Sequence, residues 1–194
     1  MDPKAGADMN FRFEELPLKG AYLIEYFSAG DRRGEFSKYF EKGVYMDGGL
    51  TFEVYESFFT VSSKNVVRGL HFQKHSPQAK LVSVVSGKTW DVIVDLRPDS
   101  PTYKKWCGTE LCRENHRAVY IPRGFAHGFA SLEDDTVMLY QCEGKYDKET
   151  DGGIRLDDPD INIIWPVDNN KMVVSQRDLQ LEDFRTYERS PMEL

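Results

Sequence analysis

Two short segments concentrate the residues able to do chemistry. In Arg68-Gly69-Leu70-His71-Phe72-Gln73, a guanidinium and an imidazole interrupt an otherwise apolar strand pattern. A regular strand sends Arg68 and His71 to opposite faces, so Gly69 marks either a bulge or a close approach of ligand to the backbone. Taken alone, a single strand histidine is more often a hydrogen-bonded structural residue than a catalyst. The second segment, Ile121 to Phe129, contains Pro122-x-Gly124-x-x-His127, a tight turn that delivers a histidine into the following strand. The chain has no His-x-His pair, and His71 and His75 stand four apart, too far along an extended strand to chelate one ion without a bend. Proton transfer by imidazole, which titrates near neutrality, is therefore expected ahead of metal chemistry, with no cofactor.

Strands must position these groups. Leu50 to Val61 and Lys80 to Val85 are rich in Val, Phe, Tyr and Thr and end in short polar or Gly punctuation. In Thr89 to Arg97, Trp90, Val92, Val94 and Leu96 alternate with Asp91 and Asp95, the pattern of a half-buried antiparallel strand. Ser86-Gly87-Lys88 separates these last two runs at hairpin spacing. Further strands are expected at Tyr103 to Leu111, Ala118 to Ile121, Phe125 to Leu132 and Thr136 to Glu143. Helical turns are expected only at Glu35 to Lys42 and at Ser175 to Phe184, where Ser175 is a suitable cap. Many closely spaced strands without repeated helices predict a mainly β fold, a jelly roll or antiparallel barrel with a few short helices.

The 194 residues suit one domain, 1–194, with the polar stretch Met1 to Asn10 read as a leader outside the packed structure. No apolar run approaches the roughly 20 residues of a membrane-spanning helix. A net charge of -7 argues against broad nucleic-acid affinity. Cys107, Cys112 and Cys142 are odd in number and lack CxxC spacing, so reduced thiols and a cytoplasmic location are expected.

The Pro-x-Gly-x-x-His core resembles the second motif of cupin barrels. Over roughly Gly20 to Asp178 the chain resembles the dTDP-4-dehydrorhamnose 3,5-epimerase family. The resemblance rests on Asp31-Arg32-Arg33-Gly34, Arg68 to Gln73, Gln78 to Val82, Phe125 to Phe129, Leu139-Tyr140, Gly153 to Asp158 and Trp165-Pro166. It implies a cupin-type fold, a nucleotide-diphospho-sugar substrate and a homodimer whose N-terminal strands reach the partner. It makes His71 the general base, paired with Asp178, Tyr140 the general acid on the opposite face, and Lys80 the group facing the keto oxygen. His127 matches a further active-site histidine, and Arg33, Arg68, Asp151 and Arg177 match sugar-nucleotide contacts. The residue types suit the chemistry: a proton removed beside a ketone leaves negative charge on oxygen, which a lysine stabilises.

The chain departs from the family at the nucleotide end. Glu56, Ser57 and Phe58 replace a common Gln-Asp-Asn run, Lys38 replaces a ligand-contacting glutamate, and Ser83 replaces an arginine. Glu56, Phe58 and Lys38 therefore join the expected substrate contacts, while the nucleotide stays open among dTDP, CDP, GDP and UDP. Inversion at C3 or C5 alone, keto-isomerisation, and a noncatalytic sugar-binding or metal-binding cupin are the competing readings.

Overall fold

The computed structural model describes residues 11–193, and the expected leader at 1–10 lies outside them. Strands β1 (Arg12–Glu15), β2 (Tyr22–Glu25), β5 (Glu56–Ser62), β7 (Ala79–Ser86), β10 (Arg117–Ile121) and β12 (Thr136–Glu143) form one antiparallel sheet, in the order β1-β2-β10-β7-β12-β5. Strands β6 (Val67–Gln73), β8 (Lys88–Asp95), β9 (Trp106–Cys112), β11 (Phe125–Ser131) and β13 (Asp151–Gly153) form the second, in the order β13-β6-β11-β8-β9. The sheets close over a core that includes Val82, Ile93, Phe129, Met138 and Tyr140. This is the antiparallel barrel anticipated from the strand pattern, of the cupin type that the resemblance implies. No helix among the described residues is long and apolar enough to cross a membrane.

Consecutive strands often change sheets, and this overturns one expectation. Ser86-Gly87-Lys88 does not close a hairpin, because β7 pairs with β10 and β12 while β8 pairs with β9 and β11. Gly87 turns a corner between the sheets at φ +72°, packed against Thr136. The segment 88–95 is also not half-buried. Its apolar side, Val92, Val94 and Leu96, packs under the C-terminal Phe184 and Tyr187, while Asp91 and Asp95, at most 2% exposed, lie beneath the other face. Alternation identified the two faces, but the C-terminal segment covers the one and the barrel closes over the other.

Other boundaries also differ: the strand expected from Tyr103 begins only at Trp106, because 101–104 form turns. Leu50 to Tyr55 is not strand, because Leu50 and Phe52 are drawn into an aromatic cluster with Tyr26 and Tyr45. Glu35 to Lys42 is not a helical turn: β3 (Phe27–Asp31) and β4 (Gly34–Lys38) pair there as a separate hairpin, and α1 (Lys42–Asp47) follows. Ser175 to Phe184 holds α2 (Gln176–Leu179), capped by Ser175 Oγ, and then α3 (Phe184–Tyr187), capped by Asp183. A bridge between Ile154 and Glu182 draws the intervening chain out straight.

Candidate active site

The break foreseen at Gly69 is a bulge in β6. His127 pairs with His71 and Phe129 with Arg68, so one residue of β11 faces two of β6. Gly69 has φ +113°, and a Cβ there would sit 2.6 Å from Gly128 Cα. Close approach of backbone, rather than of ligand, accounts for the glycine. The extra residue rotates Arg68 onto the same side as His71, and both line one cavity.

His71 and Asp178 meet across 107 residues, with His71 Nε2 2.9 Å from Asp178 Oδ1. Asp178 is buried, and its second oxygen accepts the Gly69 N–H at 3.1 Å. Burial opposes its ionisation, but the hydrogen bond and charge of His71, with the Gly69 amide, outweigh it and hold the carboxyl below its ordinary range. An ionised Asp178 requires the proton of neutral His71 on Nε2, leaving Nδ1 as the basic nitrogen.

Tyr140 stands on β12, in the sheet facing β6, and is 7% exposed, more deeply buried than a half-buried strand tyrosine. Burial, reinforced by the negative charge of Asp91, pushes its hydroxyl pKa far up, so the phenol stays protonated. Its ring stacks on Phe58 and meets His127 edge-on at 5.9 Å. His127 Nε2 lies 2.6 Å from Asp91 Oδ2, with both side chains almost completely buried. Lys80 on β7 lies opposite Cys142, and its pKa is lowered by desolvation, which nearby Cys142, Asp151, Asp91 and Glu56 partly offset.

Two connected cavities result. The inner, about 170 Å³, is lined by Phe58, Thr60, Arg68, His71, His127 and Tyr140 among others. The outer, about 360 Å³, gathers Glu56, His71, Gln78, Lys80, Asp151 and Arg177 among others. Phe58 and His71 belong to both. At the outer rim Asp151 accepts from Arg177 and from the Tyr146 hydroxyl, each at 2.8 Å, and Gln78 donates to Glu56 at 2.8 Å. A larger groove of about 600 Å³ near Leu156 and Trp165 contains none of these groups, so the chemistry points to the smaller pair.

His71, Lys80, His127 and Tyr140 therefore converge in the barrel, with Asp178 behind His71 and with Arg68, Glu56, Phe58, Asp151 and Arg177 around them. Arg33 and Lys38 do not join them within one chain. Arg33 lies beyond β3, its side chain 85% exposed and paired with Asp31, and Lys38 pairs with Glu41 at 2.8 Å. His75 pairs with Glu193 away from His71. Among the described residues no three potential metal ligands of the His, Cys, Asp and Glu type cluster. Sequence reasoning missed Asp91, Gln78, Tyr146 and Thr60. Asp91 carried a signal, as a carboxylate alternating with core residues, and Gln78 stood in the resembling segment Gln78 to Val82.

Fold and site together define an antiparallel barrel enclosing an acid/base centre at the end of a polar vestibule. A family model described as dTDP-4-dehydrorhamnose 3,5-epimerase matches residues 15–186. The Methanothermobacter thermautotrophicus dTDP-4-dehydrorhamnose 3,5-epimerase is 42% identical, over 90% of this chain and 95% of its own. A Streptomyces niveus dTDP-4-dehydrorhamnose 3-epimerase is 37% identical over 80% and 76%. The crystal structure of a Legionella pneumophila dTDP-6-deoxy-D-glucose-3,5-epimerase in complex with dTDP-4-keto-L-rhamnose superposes with a TM-score of 0.89 at 34% identity, covering 95% of this chain and all of that one. The chain belongs to the dTDP-4-dehydrorhamnose 3,5-epimerase family.

Proposed function

We propose that the protein epimerises a nucleotide-diphospho-4-keto-6-deoxy sugar, with dTDP as the carrier its relatives name. The observation that carries this is the placement of His71, paired with Asp178, and the protonated Tyr140 on facing sheets of one cavity, with Lys80 lining the vestibule that His71 also lines. His71 Nδ1 takes the proton from the carbon beside the ketone. The electron pair moves onto the keto oxygen, where the Lys80 ammonium offsets the charge. Asp178 stabilises the imidazolium, and Tyr140 gives a proton to the opposite face of that carbon, inverting it. His127, held by Asp91, keeps the Tyr140 ring in place.

Arg68, Asp151 and Arg177 surround the sugar nucleotide, the arginines meeting phosphate oxygens in pairs. Arg33 and Lys38 stand apart from the site of their own chain, so the substrate contacts the resemblance implies for them call for a second copy, a homodimer. The outer face of the β5 sheet supports this: Phe59, Val61 and Val85 are 65%, 53% and 46% exposed and adjoin one another through β5, β12 and β7. Three unpaired cysteines suit a reducing, cytoplasmic setting. Inversion at C3 alone is the second reading, favoured by the Streptomyces niveus relative.

The test is incubation with dTDP-, CDP-, GDP- and UDP-linked 4-keto-6-deoxy sugars in deuterated water, followed by NMR. Deuterium at C3 and C5 with inversion is expected for the dTDP sugar, and deuterium at C3 alone establishes the second reading. Absence of deuterium from every carbon of every substrate overturns the proposal.

A further inference from the structure

We infer that Phe58 is a positioning residue for Tyr140 and sets how often a carbon deprotonated in this site is reprotonated with inversion. The inference rests on Tyr140 being the proton donor. Phe58 and Tyr140 are directly opposed on the paired strands β5 and β12, with side chains on the same, cavity-facing side. Their rings lie 4.8 Å apart and 11° from parallel, a close stack. The His127 ring meets Tyr140 edge-on at 70°. Stack and edge contact together leave the phenol one ring plane and therefore one direction for its hydroxyl.

Exposure divides the labour between the two rings. Phe58 is 45% exposed while Tyr140 is 7% exposed, so Phe58 covers Tyr140 and bears the contact with solvent itself. It also lines both cavities, at the junction where a substrate extends from the vestibule toward the acid/base groups. The alternation that points Phe58 inward points Thr60 inward too, onto the same inner cavity as Tyr140, so the β5 wall faces Tyr140 with the Phe58 ring and the Thr60 side chain together.

A misaligned donor leaves the first half of the reaction intact. His71 and Lys80 still remove the proton, and the carbanion is reprotonated from the side it left. The measurable consequence is a ratio, solvent-deuterium exchange divided by inversion, taken with the dTDP-4-keto-6-deoxy sugar in deuterated water. Phe58→Ala and Phe58→Leu are expected to raise that ratio about tenfold or more, since small displacements of an aligned group cost up to about 10²-fold. Phe58→Tyr, which retains the stack, should stay within about threefold of the parent. Leucine keeps the apolar cover without the stack, and because the site is half-exposed, both truncations should fold, as thermal melts will verify. A parental ratio in both folded Ala and Leu variants, with Tyr140→Phe raising it, overturns the inference alone. A parental ratio in Tyr140→Phe instead removes the donor assignment and the inference with it.

Discussion

His71 and His127 are directly opposed on neighbouring strands, β6 and β11, and each is held by its own buried carboxylate, Asp178 and Asp91 respectively. The two pairs differ in setting. His71 is half-buried and opens on both cavities, whereas His127 and Asp91 are 4% and 2% exposed. Asp178→Asn should therefore act on rate, lowering kcat/KM by about 10²-fold through the wrong tautomer and the lost counter-charge. Asp91→Asn should act first on stability, costing about 1–3 kcal/mol as a buried charged hydrogen bond weakens. Steady-state kinetics beside thermal melts separate the two.

His71→Ala and Tyr140→Phe should fail differently, because one group starts the reaction and the other completes it. Removal of His71 should abolish deuterium exchange along with turnover. Tyr140→Phe should retain measurable exchange and lose inversion by about 10²-fold or more. Near-normal turnover in His71→Ala would mean that another group removes the proton.

The pH profile carries the mark of Lys80. Burial lowers its pKa from the ordinary 10.5, so as pH rises the ammonium is lost earlier than on an exposed lysine. The alkaline limb of kcat/KM should fall below that value, and Lys80→Arg, which stays charged, should remove or raise this limb at a cost in rate. At the acid end the sign is that of a depressed carboxyl. The stability Asp178 contributes is present above 3.8 and is lost as pH falls through its lower folded value, so Asp178→Asn should flatten acid unfolding.

Gly69→Ala should damage both fold and site. The added methyl meets backbone, not a flexible side chain, 2.6 Å from Gly128 Cα, at a φ of +113° that alanine disfavours. A loss of about 2–4 kcal/mol is expected, together with reduced turnover as Arg68 and His71 shift, since strain and misfit at a special φ act together. Chemical denaturation measures the first effect.

A charge on the exposed sheet face should dissociate the proposed dimer. Val61→Glu places a carboxylate among Phe59, Val61 and Val85 without touching the cavity. Light scattering should report a dimer for the parent chain and a monomer at micromolar concentration for the variant, with activity falling in step because Arg33 and Lys38 no longer reach a partner. A monomeric, fully active parent would contradict the assembly.

The sequence by itself determined the periods and the chemistry-bearing types. The short strands expected at 136–143 and 118–121 are β12 and the C-terminal four residues of β10, the glycine inside Arg68–Gln73 marked the bulge, and the resemblance named His71, Lys80, His127 and Tyr140, which do converge. Tertiary structure alone decided what covers each face. The polar side of 88–95 lies inside the fold because the six-stranded sheet closes over it, which turned Asp91 from a solvent residue into the partner of His127. The same limit applies to Phe58 and Tyr140. Each reads locally as an aromatic in a strand, and only the pairing of β5 with β12, across roughly eighty residues of chain, stacks one on the other. Local pattern records which way a side chain points, because that follows from backbone geometry. The neighbour it meets depends on strand register between distant segments, which is fixed only when the barrel closes.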